Sequence, residues 1–139
     1  MRWMLLPYKR YFDFEGRSRR MEYWMFSLFY FLACCAFALL LVLGIAMEGS
    51  VAAADQPGPF LWVLIGLFVL FLLGSVIPSI AVSVRRFHDQ GRSGWMYLIS
   101  FMPYVGWIIV LVFMCLEGTR GVNEFGPDPK DPTGASVFA

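Results

Sequence analysis

Two long apolar runs, Tyr23–Met47 and Phe60–Val84, limit what this chain can fold into more than any other feature. At 1.5 Å per residue, each exceeds the roughly 20 residues needed to cross a hydrocarbon core about 30 Å thick. The hydrophobic fraction is 59% and the charged fraction 15%, against about 45–50% and about 25% for soluble domains. Such a chain lacks the polar surface to cover a water-soluble globule. A bilayer accepts it, because apolar side chains can face lipid tails. Aromatic residues flank the runs, as in interfacial belts, with Tyr23 and Trp24 opening the first. With 139 residues there is room for one domain at most.

The expected fold class is therefore an all-α membrane protein. Residues 1–117 form one integral-membrane domain, with spans over about 22–47, 60–84 and 95–116. A polar Gly/Pro-rich tail follows over 118–139, read as turns and then a disordered end. Before the first span, Pro7 and the spacing of Tyr8, Tyr11 and Phe12 predict a short amphipathic helix over about 5–15, lying in the interface with its aromatics inward. Ser18 is the expected N-cap of the first span, with Glu22 in its first turns. The basic N-terminal segment and the length of the following apolar run do not match a cleavable signal. Glu48–Pro59 is a small, acidic, turn-rich connection.

In the second run Pro78 predicts a kink, and a neighbouring helix or a serine hydroxyl must satisfy the carbonyl it frees. Ser75, Ser79 and Ser83 recur every fourth residue and predict a close-packing helix seam. Trp95–Leu116 is interrupted by Pro103 and Gly106. It is long enough for one crossing, and a kinked single crossing is the expectation. A re-entrant hairpin turning at Met102–Gly106 is the alternative, if protein shields its broken backbone. Cys34, Cys35 and Cys115 read as small apolar helix residues. No His/Cys spacing suggests a metal site and nothing implies a cofactor.

Charge gives the orientation. Arg2, Lys9, Arg10, Arg17, Arg19 and Arg20 precede the first span, Arg85, Arg86 and Arg92 follow the second, and the connection between carries no Lys or Arg. The positive-inside rule then puts the N-terminus and nine of the eleven basic residues in the cytoplasm. It also brings the stretch Arg85-Arg86-Phe87-His88-Asp89-Gln90-Gly91-Arg92-Ser93-Gly94-Trp95, read as a loop, to the same face as the N-terminal arm.

Several motifs resemble a known family. Phe14-x-Gly16-Arg17-x-x-Arg20-x-Glu22-Tyr23-Trp24, Arg85-Arg86-x-His88-Asp89-x-Gly91-Arg92-Ser93-Gly94-Trp95, Pro103-x-x-Gly106 and Asn123-x-x-Gly126-Pro127-x-Pro129 occur in that order. Together they resemble the domain of unknown function 805 family, with Phe125 standing where tyrosine is at least as frequent. The resemblance implies a small bacterial inner-membrane protein and supplies no catalytic residues.

Two uses of the charged residues follow. Arg17, Arg20, Arg85, Arg86, His88, Arg92 and Ser93 form a candidate site for an anionic group, membrane lipid headgroups being nearest. Gly91 and Gly94 would let the backbone approach such a ligand. Alternatively, Asp89 pairs with Arg17 or Arg20, and Glu22 with Arg85 or Arg86, clamping arm to loop. Partners are then membrane lipids, a second copy or another membrane protein, with no nucleic acid. An oligomeric transporter or channel accessory role is a further class. So is an enzyme acting on a lipid-linked substrate through His88 and Asp89.

Overall fold

The computed structural model describes residues 2–49 and 58–131. Most of the Glu48–Pro59 connection, and the end of the tail read as disordered, lie outside them. Among the described residues there are four α-helices and one 3-10 helix, with no named strand. Helix α1 covers Arg2–Lys9, α2 Arg20–Gly49 and α3 Pro59–Asp89. The 3-10 helix covers Gly94–Phe101 and α4 covers Gly106–Cys115.

Two of these helices, α2 and α3, are long and apolar enough to cross a bilayer, with windows of mean hydropathy 2.7 and 2.8. They run antiparallel. Phe37 packs on Phe68, Tyr30 stacks on Phe71 and Gly44 meets Leu61, so later residues of α2 face earlier residues of α3. Ion-paired Glu22 and Arg85 lie toward the opposite end of the pair from Gly44. From Glu22 to Gly44 the helix rises about 33 Å, close to the thickness of a hydrocarbon core. Many large apolar side chains on both helices are exposed, including Phe31, Leu39, Leu70 and Leu73.

The segment after α3 does not run through as one kinked helix. It descends as a 3-10 helix about 16 Å long, turns at Met102–Val105 and returns as α4, about 15 Å long. Gly94 at its start lies against Val84 and His88. At its end the carbonyls of Phe113 and Leu116 accept hydrogen bonds from Gln90 and Arg86. Both ends therefore sit at the same end of α3. The physical reason is the break at Pro103, where Tyr104 adopts φ 66°, a left-handed conformation that stops helix propagation. A small core of Phe87, Val110 and Met114 joins the returning limb to α3.

The helix expected over about 5–15 instead covers Arg2–Lys9. Pro7 is fully buried, and Tyr8 packs against Phe26 and Phe29. Since the helix stops before residue 12, Phe12 leaves the packed face and is 74% exposed. Tyr11 answers the question posed by Pro78. Proline has no N–H, so the carbonyl of Gly74 loses its helical partner, and the Tyr11 hydroxyl donates to it at 2.9 Å. The serine seam also turns inward. Ser75, Ser79 and Ser83 each hydrogen-bond the carbonyl four residues back, and Ser75 Oγ also meets the Tyr8 hydroxyl at 2.6 Å. All three cysteines are free thiols.

Replacing Tyr11 by Phe should leave the Gly74 carbonyl unsatisfied at a cost of about 1–3 kcal/mol, seen as a lower unfolding midpoint in detergent. Pro78→Ala restores the backbone donor, so Tyr11→Phe should cost much less in that background. Equal losses in both backgrounds would show that the phenol does not serve the proline gap.

Candidate functional site

The basic stretch is not all loop. Helix α3 continues through Asp89, so its periodicity decides which charged groups point inward. Arg85, Arg86 and Asp89 are buried, whereas Arg92 and Ser93, past the helix end, are exposed. The helix closes with paired backbone bonds, Arg92 N–H to Phe87 O and Gly91 N–H to His88 O, with Gly91 at φ +65°. This is a Schellman cap, which favours glycine. The glycines thus serve the fold at this point. Gly91 ends the helix, and Gly94 allows the chain to cross tightly over α3, where an added Cβ would lie 2.6 Å from Val84 Cγ1.

At the centre is Asp89. One carboxylate oxygen accepts from Arg17 Nε at 3.0 Å, and the other accepts from Arg86 Nη1. The side chain of Arg17 is 1% exposed and that of Arg86 fully buried. Arg17 also donates to the carbonyls of Gly121, at 2.5 Å, and Thr119. Arg86 reaches the carbonyl of Leu116. One carboxylate and a ring of backbone carbonyls therefore join the N-terminal arm, α3, the hairpin end and the tail.

A second pair lies alongside. Arg85 Nη2 is 3.0 Å from Glu22 Oε1, and Arg85 Nη1 is 4.0 Å from Asp13. Asp13 is itself held by Arg10. Ser18, fully buried, contributes its backbone N–H to the Arg85 carbonyl at 3.1 Å, while its hydroxyl makes no cap. Three buried arginines thus face two buried carboxylates, Glu22 and Asp89. Among the described residues Arg85 Nε, Arg85 Nη1 and Arg86 Nε have no hydrogen-bond acceptor. The node keeps an excess of positive charge and of donors.

The other predicted residues are placed apart from it. Arg20 pairs with Glu117 at 2.6 Å, its side chain 39% exposed. Arg92 lies over the Phe113 ring, 4.6 Å from its centre. His88 hydrogen-bonds the Gly16 carbonyl at 3.3 Å and stacks flat on Phe125, with ring centres 4.0 Å apart. His88 and Ser93 line an apolar cleft of about 410 Å³ with Phe14, Val84 and Trp95, and neither Arg92 nor the buried arginines border it. The structure therefore brings together Arg17, Arg86 and Asp89, with Arg85 and Glu22 beside them, and keeps Arg20, Arg92 and Ser93 separate.

The described part of the tail has a role that reading it as simple turns passes over. Thr119 and Asn123 cap the end of α3, through bonds to the carbonyls of Asp89 and His88. Asn123 and Gly126 close a tight bridge that presents Phe125 to His88. The N–H of Lys130 holds the Asp128 carboxyl below its ordinary range, against a smaller opposing effect of burial, and the Gly121 N–H acts in the same direction. The Asn123-x-x-Gly126 spacing was the available signal.

Described elements that are all helices, two of them apolar and of bilayer length with a charged cap at one end, are those of a small integral membrane protein. Residues 11–127 match the family model described as protein of unknown function DUF805. The chain is 39% identical over 131 residues to the inner membrane protein YhaI of Escherichia coli (strain K12), covering 94% of this chain and 97% of that one. It is 41% identical over 130 residues to the inner membrane protein YhaH of the same organism, covering 94% and 98%. A more distant relative, the uncharacterized protein YiiR, is 29% identical over 145 residues. No solved structure matches. The chain belongs to the DUF805 family and is an inner-membrane protein.

Asp89→Asn removes the carboxylate shared by Arg17 and Arg86 and leaves both buried cations uncompensated. Loss of about 3–5 kcal/mol of stability is expected, read as a lowered unfolding midpoint in detergent. An unchanged midpoint would mean that the shared carboxylate does not hold the cap together.

Proposed function

We propose that this protein crosses the membrane twice and inserts its third segment as a re-entrant hairpin, with the N-terminal arm and the tail both cytoplasmic. On this reading α1 is an interfacial helix packed on the paired spans. The placement of both hairpin ends at one end of α3 supports it. So does charge, since all eleven Lys and Arg residues then fall on the cytoplasmic side.

The cytoplasmic cap engages anionic lipid headgroups and takes no part in covalent chemistry. Its inner arginines, Arg17, Arg85 and Arg86, hold the cap in shape. Its outer ones, Arg20 and Arg92, meet phosphate at the surface. The observation that carries this reading is the division of labour itself: the inner three are enclosed by carboxylates and carbonyls, while Arg20 and Arg92 stay outside, near exposed Trp24 and Trp95 in the sequence. Tryptophan favours the headgroup level, and the excess positive charge of the node reinforces the attraction for anions. His88 is held by Gly16 and Phe125 at the edge of an apolar cleft, and its carboxylate neighbour Asp89 is committed to two arginines, which argues against acid–base work by that pair.

Two measurements test these statements. A reporter fused after Ala139 should behave as cytoplasmic; a periplasmic reporter would restore a third crossing. Arg20→Ala/Arg92→Ala should weaken retention of phosphatidylglycerol in native mass spectrometry. At about 1 kcal/mol per basic residue at an anionic surface, the double change amounts to roughly 30-fold. Unchanged retention would remove the outer arginines from the proposal.

A further inference from the structure

A cavity of about 340 Å³ lies between α2, α3 and the hairpin, and none of the node's arginines or carboxylates lines it. Its wall carries Tyr23 and Ser27 from α2, Ser79 and Ser83 from α3, and Tyr97 and Ser100 from the 3-10 helix. The remaining lining is aromatic or aliphatic, and none of it is charged. With Tyr30 on α2, seven hydroxyls from three elements thus converge beside helices of membrane length. In hydrocarbon, unpaired hydroxyls are costly and water is scarce.

Ser79 and Ser83 give their protons to carbonyls four residues back, at 2.7 Å each, and keep acceptor lone pairs facing outward. The Tyr23 hydroxyl lies near Ser27, and that of Tyr97 near Ser100. Each of these hydroxyls can donate one hydrogen bond and accept others. The wall therefore offers donors and acceptors together, without charge. A phosphate or ammonium group would lose its hydration there with no counter-ion. The volume falls at the lower end of small-ligand pockets, enough for a compact polar head whose chains remain in the bilayer.

We infer that this cavity binds the uncharged glycerol head of a diacylglycerol. Its free hydroxyl donates to the serine oxygens, and its ester carbonyls accept from the tyrosine–serine pairs. The acyl chains lie along the exposed apolar surface of α2 and the hairpin, near Leu28 and Trp107. This site is separate from the headgroup surface of the cap and does not depend on it.

The test uses the full chain in detergent, with dioleoylglycerol, phosphatidylglycerol and ubiquinone offered in turn to native mass spectrometry. The protein should retain dioleoylglycerol. Tyr23→Phe/Tyr97→Phe preserves the cavity's shape and removes two hydroxyls, and should weaken that retention about tenfold while leaving phosphatidylglycerol unaffected. Should that variant fail to fold, Ser27→Ala carries the same expectation at a few-fold loss. No retention of dioleoylglycerol, equal retention by a folded variant, or equal retention of ubiquinone would overturn the assignment, the last by reducing the cavity to a general apolar space.

Discussion

The rest of the cap depends on one carboxylate serving two buried guanidinium groups. Asp89 sits where α3 leaves its apolar run, and its two oxygens are divided between Arg17 and Arg86. Burying an ion is expensive unless it is paired and its remaining donors are met. That cost selects the neighbours. The carbonyls of Leu116, Thr119 and Gly121 come to the arginines because no water can reach them there. Sequence-distant segments are brought together by what the arginines need.

The hairpin follows from the same constraint combined with a local one. Pro103 and the turn after it prevent a continuous crossing, and neither limb is long enough to cross alone. A broken backbone in an apolar environment needs protein around it. Phe87, Val110 and Met114 provide packing for the returning limb, and Arg86 and Gln90 bind the carbonyls at its end. Tyr11 plays a comparable part on the other side of α3, meeting the carbonyl that Pro78 frees. In both places a proline defect is matched by a donor from another segment.

Legibility varied with the range of the interaction. The two long helices could be read directly, because apolar length against bilayer thickness is a local property. Arg17 or Arg20 was expected on Asp89 and Arg85 or Arg86 on Glu22. The structure pairs Arg17 with Asp89 and Arg85 with Glu22, but Arg86, one helical turn before Asp89, also pairs with Asp89 and not with Glu22. Choosing between Arg17 and Arg20 required the end of α3: once helix continues to Asp89, Arg20 faces outward to Glu117. The Arg85–Asp89 stretch was misread as loop because its charge masked five further residues of helix. Phe12 was misplaced because the helix boundary at Lys9 has no sharp sequence signal. The tail's contacts were hidden because backbone carbonyls, which every residue has, do most of the binding.

The sequence by itself determined the solvent, the two membrane-length helices and the asymmetry of charge, since hydropathy and charge act on each segment independently. It also carried the motifs that mark the family. Only the tertiary structure decided that the third segment turns back, that three of the candidate ligand arginines lie inside the cap, and that the tail closes over them. Those outcomes depend on which buried donor meets which acceptor. That matching involves groups up to about a hundred residues apart, and no local pattern encodes it.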